Sequence, residues 1–188
     1  MMSTSPQNAP YHHGNLRQAL LEAGLIILEK QGEAGLGLRD LARAVGVSSA
    51  APYRHFDSRA ALLEALAVTG FQRFTARMQA VMASAPDNPL AAMGKTYVVF
   101  ALQNPNLFRL MFSPQLKKEA RPGLSMAADA AFDTLRQAIG GEGHEARTRT
   151  LAAWAKVHGL AVLVLDGQIA IRAGEDSEAL VAKIIDSL

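Results

Sequence analysis

The stretch "LRDLARAVGVSSAAPYRHF", residues 38–56, combines two helix-forming segments with a sharp break between them. At the break, Gly46 can adopt the left-handed backbone conformation that ends a helix, and Val47 supplies the apolar contact that often follows it. Ser48 or Ser49 can then cap the next helix by accepting backbone N–H groups. The pattern therefore predicts a helix, a tight turn and a second helix.

The segment after the turn, residues 49–55, is predicted to form this second helix. Pro52 is compatible with it only because it falls in the first turn, where the missing N–H has no helical partner. Ala42 allows the two helices to approach closely. This is the arrangement of a helix-turn-helix, whose second helix enters the major groove of DNA. The same shape also occurs as ordinary packing in helical proteins, so shape alone leaves both interpretations open.

Side chains on and around this segment have the chemistry that DNA contact requires. Hydrogen-bond donors for phosphate oxygens are Tyr53, Arg54, His55 and Arg59, with Arg39 on the preceding helix. Base reading would use Ser48, Ser49 and Arg54, together with contacts from Ala50 or Ala51 to thymine methyl groups. Two alternatives remain open at this point: Tyr53 as a core aromatic, and His55 as a solvated helix end.

The composition of the chain limits what it can be. It has 188 residues, 49% of them hydrophobic, no cysteine and a formal net charge of +2. The absence of cysteine excludes disulfides and cysteine–zinc sites. Residues 1–60 carry six Arg/Lys and five Asp/Glu, so DNA binding must depend on where the charges lie. No signal peptide or membrane-spanning run is visible, and we expect a cytoplasmic protein with no membrane partner.

Helical periodicity continues along nearly the whole chain. A first helix runs through Leu16 and Ile27, and later helices are predicted at about 58–83, 90–103, 106–113, 122–139, 145–173 and 177–187. We therefore expect an all-α protein with two domains. Residues 1–60 would form an N-terminal arm and a three-helix DNA-binding domain, and 61–188 a larger helical body, joined by a helix that starts near residue 58.

The longer stretch "LGLRDLARAVGVSSAAPYRHFDSRAALLEAL", residues 36–66, resembles the DNA-binding domain of the TetR family of transcriptional regulators. The resemblance covers about residues 12–70. It departs from the family at Arg59, where lysine is usual, and at Gly37, where a capping Ser or Thr is frequent. "YHHGNLRQAL", residues 11–20, resembles the start of one subgroup. There His12, His13 and Asn15 would touch the DNA backbone, although a frayed polar terminus would look the same. No third metal ligand accompanies the two histidines, so no metal is expected.

The second half resembles a TetR subgroup named after a Trp-His-Gly element, through "NPNLFRLMF" at 104–112 and "WAKVHGLAVLVLDG" at 154–167. The resemblance implies a small-ligand pocket and a dimer interface in this half. Candidate ligand contacts are Met93, Tyr97, Phe100, Phe108, Met111, Phe112, Met126, Trp154 and His158, which could equally be ordinary core. Candidate interface residues are Val162, Leu165, Leu180, Val181, Ile184 and Ile185, on two helices that would form a four-helix bundle across a twofold axis.

The resemblance implies a homodimeric repressor that leaves its double-stranded operator when a small, largely apolar effector binds. No cofactor is expected. Two other classes stay open: an all-α enzyme and a helical adaptor that does not bind DNA. The enzyme is disfavoured because the sequence has no nucleophile–base pair at a defined spacing and no glycine-rich phosphate loop. Activation in place of repression is a further alternative.

Overall fold

The computed structural model describes residues 16–84, 87–116, 121–170 and 176–186. Within these ranges there are eight α-helices, two short 3₁₀ turns and no β-strand, which confirms the all-α prediction. The helices are α1 (Leu16–Gln31), α2 (Leu38–Val45), α3 (Arg59–Ser84), α4 (Pro89–Gln103), α5 (Pro105–Met111), α6 (Pro122–Ile139), α7 (Gly143–Leu165) and α8 (Ser177–Asp186). None of these helices is long and apolar enough to cross a membrane.

The chain divides into two compact units, one up to Leu62 and the other from Leu63. In the described part of the smaller unit, α1 packs against α2, and the 3₁₀ turn Glu33–Gly35 connects them. Its core consists of apolar side chains of α1 and α2 and of the residues that follow the two 3₁₀ turns: Leu20, Leu21, Leu25, Leu28, Leu36, Leu38, Leu41 and Phe56. Burial of these side chains is the main stabilising contribution.

Three of the helices in the larger unit begin with proline in the first turn. Pro89, Pro105 and Pro122 start α4, α5 and α6, where a residue without an N–H costs no helical hydrogen bond. Asn88 caps α4, because its side-chain oxygen accepts the Ala91 N–H at 3.2 Å. These prolines therefore mark helix starts within one residue of the predicted starts at 90, 106 and 122.

The predicted helix over 145–173 is wrong at its C-terminal end. α7 stops at Leu165, because Gly167 takes a left-handed backbone with φ of 70°. The Gln168 N–H then bonds back to the Leu163 carbonyl at 2.9 Å. This hydrogen-bond pattern is that of a glycine-terminated helix.

In the larger unit, α4 is the central helix and contacts α5, α6, α7 and α8. It buries Met93, Tyr97, Val98 and Phe100. The approach between α3 and α5 is close at Gly70, where a Cβ atom would lie 2.8 Å from Sδ of Met111. A larger residue at that crossing would require the side chains of Met111 and Leu107 to shift.

Candidate functional site

The turn between α2 and the following segment has the predicted geometry. Gly46 has φ of 75° and ψ of 33°, in the left-handed region. The Val47 N–H bonds to the Ala42 carbonyl at 2.9 Å, which satisfies one of the last carbonyls of α2. The predicted left-handed glycine turn at residue 46 is therefore confirmed.

The predicted α-helix over 49–55 is wrong. The structure has a 3₁₀ turn at Pro52–Arg54, preceded by a hydrogen-bonded turn in which the Ala51 N–H donates to the Ser48 carbonyl at 2.9 Å. The N–H groups of Ala51, Arg54 and His55 each bond to the carbonyl three residues earlier, which is the 3₁₀ pattern and not the α-helical one. The N-cap position is Ala51, without a side-chain hydrogen bond, so capping by Ser48 or Ser49 is also not observed.

Two buried residues hold this segment against the smaller unit. Pro52 and Phe56 both lie in the core, and the Phe56 N–H donates to the Pro52 carbonyl at 2.9 Å. Tyr53 and Arg54, between these two residues, point outward, and Tyr53 is 49% exposed. The alternative that Tyr53 is a core aromatic residue is therefore wrong.

The side chains predicted for DNA contact mostly lie on the surface of the smaller unit. Exposed members are Arg39, Ser48, Ser49, Ala50, Tyr53, Arg54 and Arg59, whereas Ala51 and His55 are half-buried. We call Ser48, Ser49, Tyr53 and Arg54 the polar segment. His12, His13 and Asn15 lie outside the described residues.

Arg59, predicted to be able to donate to phosphate oxygens, forms hydrogen bonds within its own unit. Its Nε donates to the Leu36 carbonyl at 2.9 Å, and a terminal nitrogen donates to the Glu33 carbonyl. The other terminal nitrogen lies 3.4 Å from Oε1 of Glu33. These bonds fasten the 3₁₀ turn Glu33–Gly35 to the start of α3, so the side chain first of all stabilises the smaller unit.

The larger unit contains a cavity of about 160 Å³. It is lined by residues of α3, α4, α6 and α7 and of the turn after α5: Phe71, Phe74, Met78, Tyr97, Phe112, Ala128, Asp129, Ala131, Phe132, Leu135 and Trp154. Several ring pairs meet edge to face around it, such as Phe74 and Tyr97 with centroids 5.1 Å apart. The wall is therefore mostly aromatic.

Only part of the predicted ligand set lines this cavity. Tyr97, Phe112 and Trp154 do, whereas Met93, Phe100, Phe108 and Met111 are buried in the surrounding core. The prediction for Met126 is wrong, because its side chain is 72% exposed. On α6, the buried side chains lie on the opposite face from Met126. The prediction also missed the contributions of α3 and α6, although Phe71, Phe74 and Met78 recur at helical spacing in the sequence.

One cavity residue, Tyr97, joins two of the predicted contacts through hydrogen bonds. The Trp154 Nε1–H donates to the Tyr97 hydroxyl oxygen at 3.2 Å. That hydroxyl lies 2.8 Å from Nδ1 of His158 and donates to it when the nitrogen carries no proton. Burial raises the pKa of Tyr97 well above its ordinary value, against a smaller opposing effect of the Trp154 hydrogen bond. The hydroxyl therefore remains neutral and can donate.

The predicted interface residues separate into three groups by burial. Val181 and Ile185 are buried within their own chain, and Ile185 packs beside Gly94 of α4, so their predicted place at a dimer interface is corrected. Leu165, Leu180 and Ile184 are half-buried. The exposed fraction is 36% for Val162 and 45% for its neighbour Leu163. The sequence patterns did not single out Leu163.

The exposed side chains of Val162 and Leu163 belong to an apolar stripe on α7. Ala152, Ala155, Gly159, Val162 and Leu163 recur at helical spacing and lie opposite the buried Ala161 and Val164. We call these five residues the α7 outer face.

Two family models match the chain: "Bacterial regulatory proteins, tetR family" at residues 20–66, and "Tetracyclin repressor-like, C-terminal domain" at residues 90–188. Over 100 residues the chain is 36% identical to the nucleoid occlusion factor SlmA of Photobacterium profundum. That alignment covers 52% of this chain and 51% of SlmA, so the chain spans about half the length of the curated relatives it matches.

Solved structures share the fold along nearly the whole chain. A protein of unknown function from Rhodococcus sp. RHA1 has 36% identity and a TM-score of 0.80, with 96% of each chain covered. AibR, solved in complex with isovaleryl coenzyme A and operator DNA, has 16% identity and a TM-score of 0.65, with 92% of this chain and 97% of AibR covered. These similarities show the fold. The two matching family models, of which the C-terminal one alone covers more than half of the chain, show that the chain belongs to the TetR family of bacterial regulatory proteins.

Proposed function

We propose that this protein is a DNA-binding transcriptional repressor that acts as a homodimer and leaves its operator when a small, largely apolar ligand binds. The observation that carries the proposal is the polar segment, which is exposed after the Gly46 turn while Pro52 and Phe56 anchor it in the core. Buried anchors with outward polar side chains form a surface that DNA can contact without rearrangement of the core. The protein has no catalytic role in this proposal.

The polar segment divides into two kinds of contact. Tyr53 and Arg54 suit phosphate oxygens, because a phenol and a guanidinium donate hydrogen bonds that fix the register without reading bases. Ser48, Ser49 and the neighbouring alanines suit base edges and thymine methyl groups. Arg39 and His55 would add contacts at the margin of this surface.

A homodimer is supported by the α7 outer face, with Leu180 as an additional candidate. Small residues at Ala155 and Gly159 would let a second copy of α7 approach closely, and Val162 and Leu163 would be removed from water. A twofold pair of polar segments would match a palindromic operator with two half-sites. Such a regulator acts in the cytoplasm, where the bacterial chromosome lies.

The ligand role is supported by the aromatic cavity and by the hydroxyl of Tyr97 in its wall. The fold neighbour AibR was solved with both isovaleryl coenzyme A and operator DNA, which supports a ligand-responsive function for this fold. A ligand releases the operator only if it binds the DNA-incompetent conformation more tightly than the competent one. We propose such a difference in affinity for this protein.

The test is to select binding sites from a random duplex library with the purified protein. We expect enrichment of a palindromic sequence, and sedimentation should give two chains, or a multiple of two, on each selected duplex. A library that stays random after repeated rounds with folded protein contradicts DNA recognition. One chain per selected duplex contradicts the dimer but not the DNA-binding function.

A further inference from the structure

The described lining residues of the cavity in the larger unit carry charge of one sign only. Six of its described lining residues are aromatic: Phe71, Phe74, Tyr97, Phe112, Phe132 and Trp154. Asp129 is the single charged residue among them, and none is basic. The described part of the wall therefore offers aromatic rings and one carboxylate to a ligand.

The carboxylate of Asp129 is available for a ligand. It lies on the exposed side of α6, where it accepts a hydrogen bond from Ser125 Oγ at 3.3 Å and forms no ion pair with any described residue. Asp133, one turn further along α6, differs, because it pairs with Arg136 at 2.9 Å. Asp129, the carboxylate at the cavity, therefore has no ion-pair partner among the described residues, whereas Asp133 has one.

This lining favours a cation over an anion. Aromatic ring faces carry partial negative charge and attract ammonium groups, and they do so more strongly where water is excluded. An anionic group would find no basic partner among the described lining residues and would face the carboxylate of Asp129. A polyanion such as a coenzyme A thioester is disfavoured on this ground.

We propose that the ligand of this cavity is a small organic cation, a protonated or quaternary amine on an aromatic or apolar body. The inference rests on the ligand-responsive function proposed above and names the class of its effector. The body would lie among the rings of Phe74, Phe112 and Trp154, with the ammonium group beside Asp129. The volume of about 160 Å³ suits a body of about one ring, since an apolar cavity of about 150 Å³ can hold benzene.

Three probes of similar size but different charge test the proposal: phenyltrimethylammonium, its uncharged isostere tert-butylbenzene, and the anion benzenesulfonate. Emission from Trp154, the one tryptophan of the sequence, reports occupation of the cavity directly. The cation should bind about threefold or more tightly than the isostere, and the anion should bind more weakly than both. Failure of the cation to bind, or its binding no more tightly than either of the other probes, overturns the proposal.

A pair of variants on the same helix tests the role of the carboxylate. Asp129→Asn should weaken phenyltrimethylammonium binding about two- to fivefold, the range for an exposed ion pair, and leave tert-butylbenzene unchanged. Asp133→Asn removes the same charge away from the cavity and should change neither affinity. Equal effects of the two variants on cation binding, or no effect of Asp129→Asn, overturn the assignment.

Operator binding is measured separately on the same protein preparation. A protein that binds the operator but not the cation contradicts only this inference. A protein that binds the cation but no DNA contradicts only the proposed function.

Discussion

The indole N–H of Trp154 donates to the hydroxyl oxygen of Tyr97 at 3.2 Å, and this bond joins α7 to α4 at the wall of the cavity. We expect Tyr97→Phe to lower the free energy of unfolding by about 1–3 kcal/mol, because Trp154 loses its acceptor in a partly buried site. Chemical denaturation with Trp154 emission as the signal measures this difference. Unchanged stability together with unchanged emission would show that the bond contributes nothing.

The same tyrosine gives a prediction about alkaline pH. Because burial raises the pKa of Tyr97, the folded protein keeps its proton at pH values where the unfolded chain releases it. Its contribution to stability is therefore complete below the ordinary value of about 10 and is lost as the pH rises above it. Unfolding measured from pH 8 to 11 should show the difference between the wild type and Tyr97→Phe shrinking above pH 10. A constant difference would contradict the raised pKa.

At Gly70, helix propensity and packing have opposite effects on a substitution by alanine. Alanine in a helix interior is favoured over glycine by about 1 kcal/mol, but its Cβ here would lie 2.9 Å from Leu107 and 2.8 Å from Met111. We expect the overpacking, about 1–3 kcal/mol, to exceed the gain, so that Gly70→Ala lowers the melting temperature. Gly123→Ala, with no atom within 4 Å of the new Cβ, is the control and should not lower it. A stabilised Gly70→Ala would show that the α3–α5 crossing can relax.

The α7 outer face predicts the effect of a charge at Leu163. Leu163→Glu should place an unpaired charge in the proposed interface, weaken dimerisation by about 3 kcal/mol or more and yield monomers in sedimentation. Met126→Glu is the matched control, because Met126 is an exposed apolar residue on another helix. The Met126→Glu protein should remain dimeric. A Leu163→Glu protein that sediments as a dimer would place the interface elsewhere.

Arg59 provides a test that distinguishes structural support from phosphate contact. Arg59→Ala should destabilise the smaller unit by about 1–2 kcal/mol through the lost bonds to Glu33 and Leu36. It should leave the salt dependence of operator binding unchanged, whereas loss of a phosphate contact lowers the slope of log K against log salt by about 1. Glu33→Gln, which keeps both carbonyl acceptors, should destabilise less. A lowered slope with unchanged stability would restore the phosphate role of Arg59.

Local signals in the sequence predicted the parts of the fold that depend on single residues. The turn at Gly46 and the helix starts at Pro89, Pro105 and Pro122 follow from backbone conformations that glycine and proline favour. The helix expected after Gly46 failed because Pro52 was compatible with two local structures. The choice between them depends on how Pro52 and Phe56 reach the core.

The cavity and the α7 outer face depended on contacts between helices, which periodicity does not specify. Phe108 and Phe112 have the same spacing signal, yet only Phe112 lines the cavity. On α8, Leu180 and Val181 are adjacent in sequence, but Val181 is buried in its own chain while Leu180 is half-buried. Which row of a helix is buried depends on its neighbours, here α4.

The assignment of the polar segment to operator recognition is tested by the salt dependence of binding to the selected operator duplex. Fluorescence anisotropy measures it for the wild type and Arg54→Ala. We expect tight binding to the selected duplex and weak binding to a scrambled one. Arg54→Ala should lower the slope of log K against log salt by about 1. Arg147→Ala, which removes an exposed arginine from α7, should leave the slope unchanged. Equal affinity of the folded wild type for selected and scrambled duplexes, or equal slopes for all three proteins, would contradict the assignment of the polar segment to operator recognition.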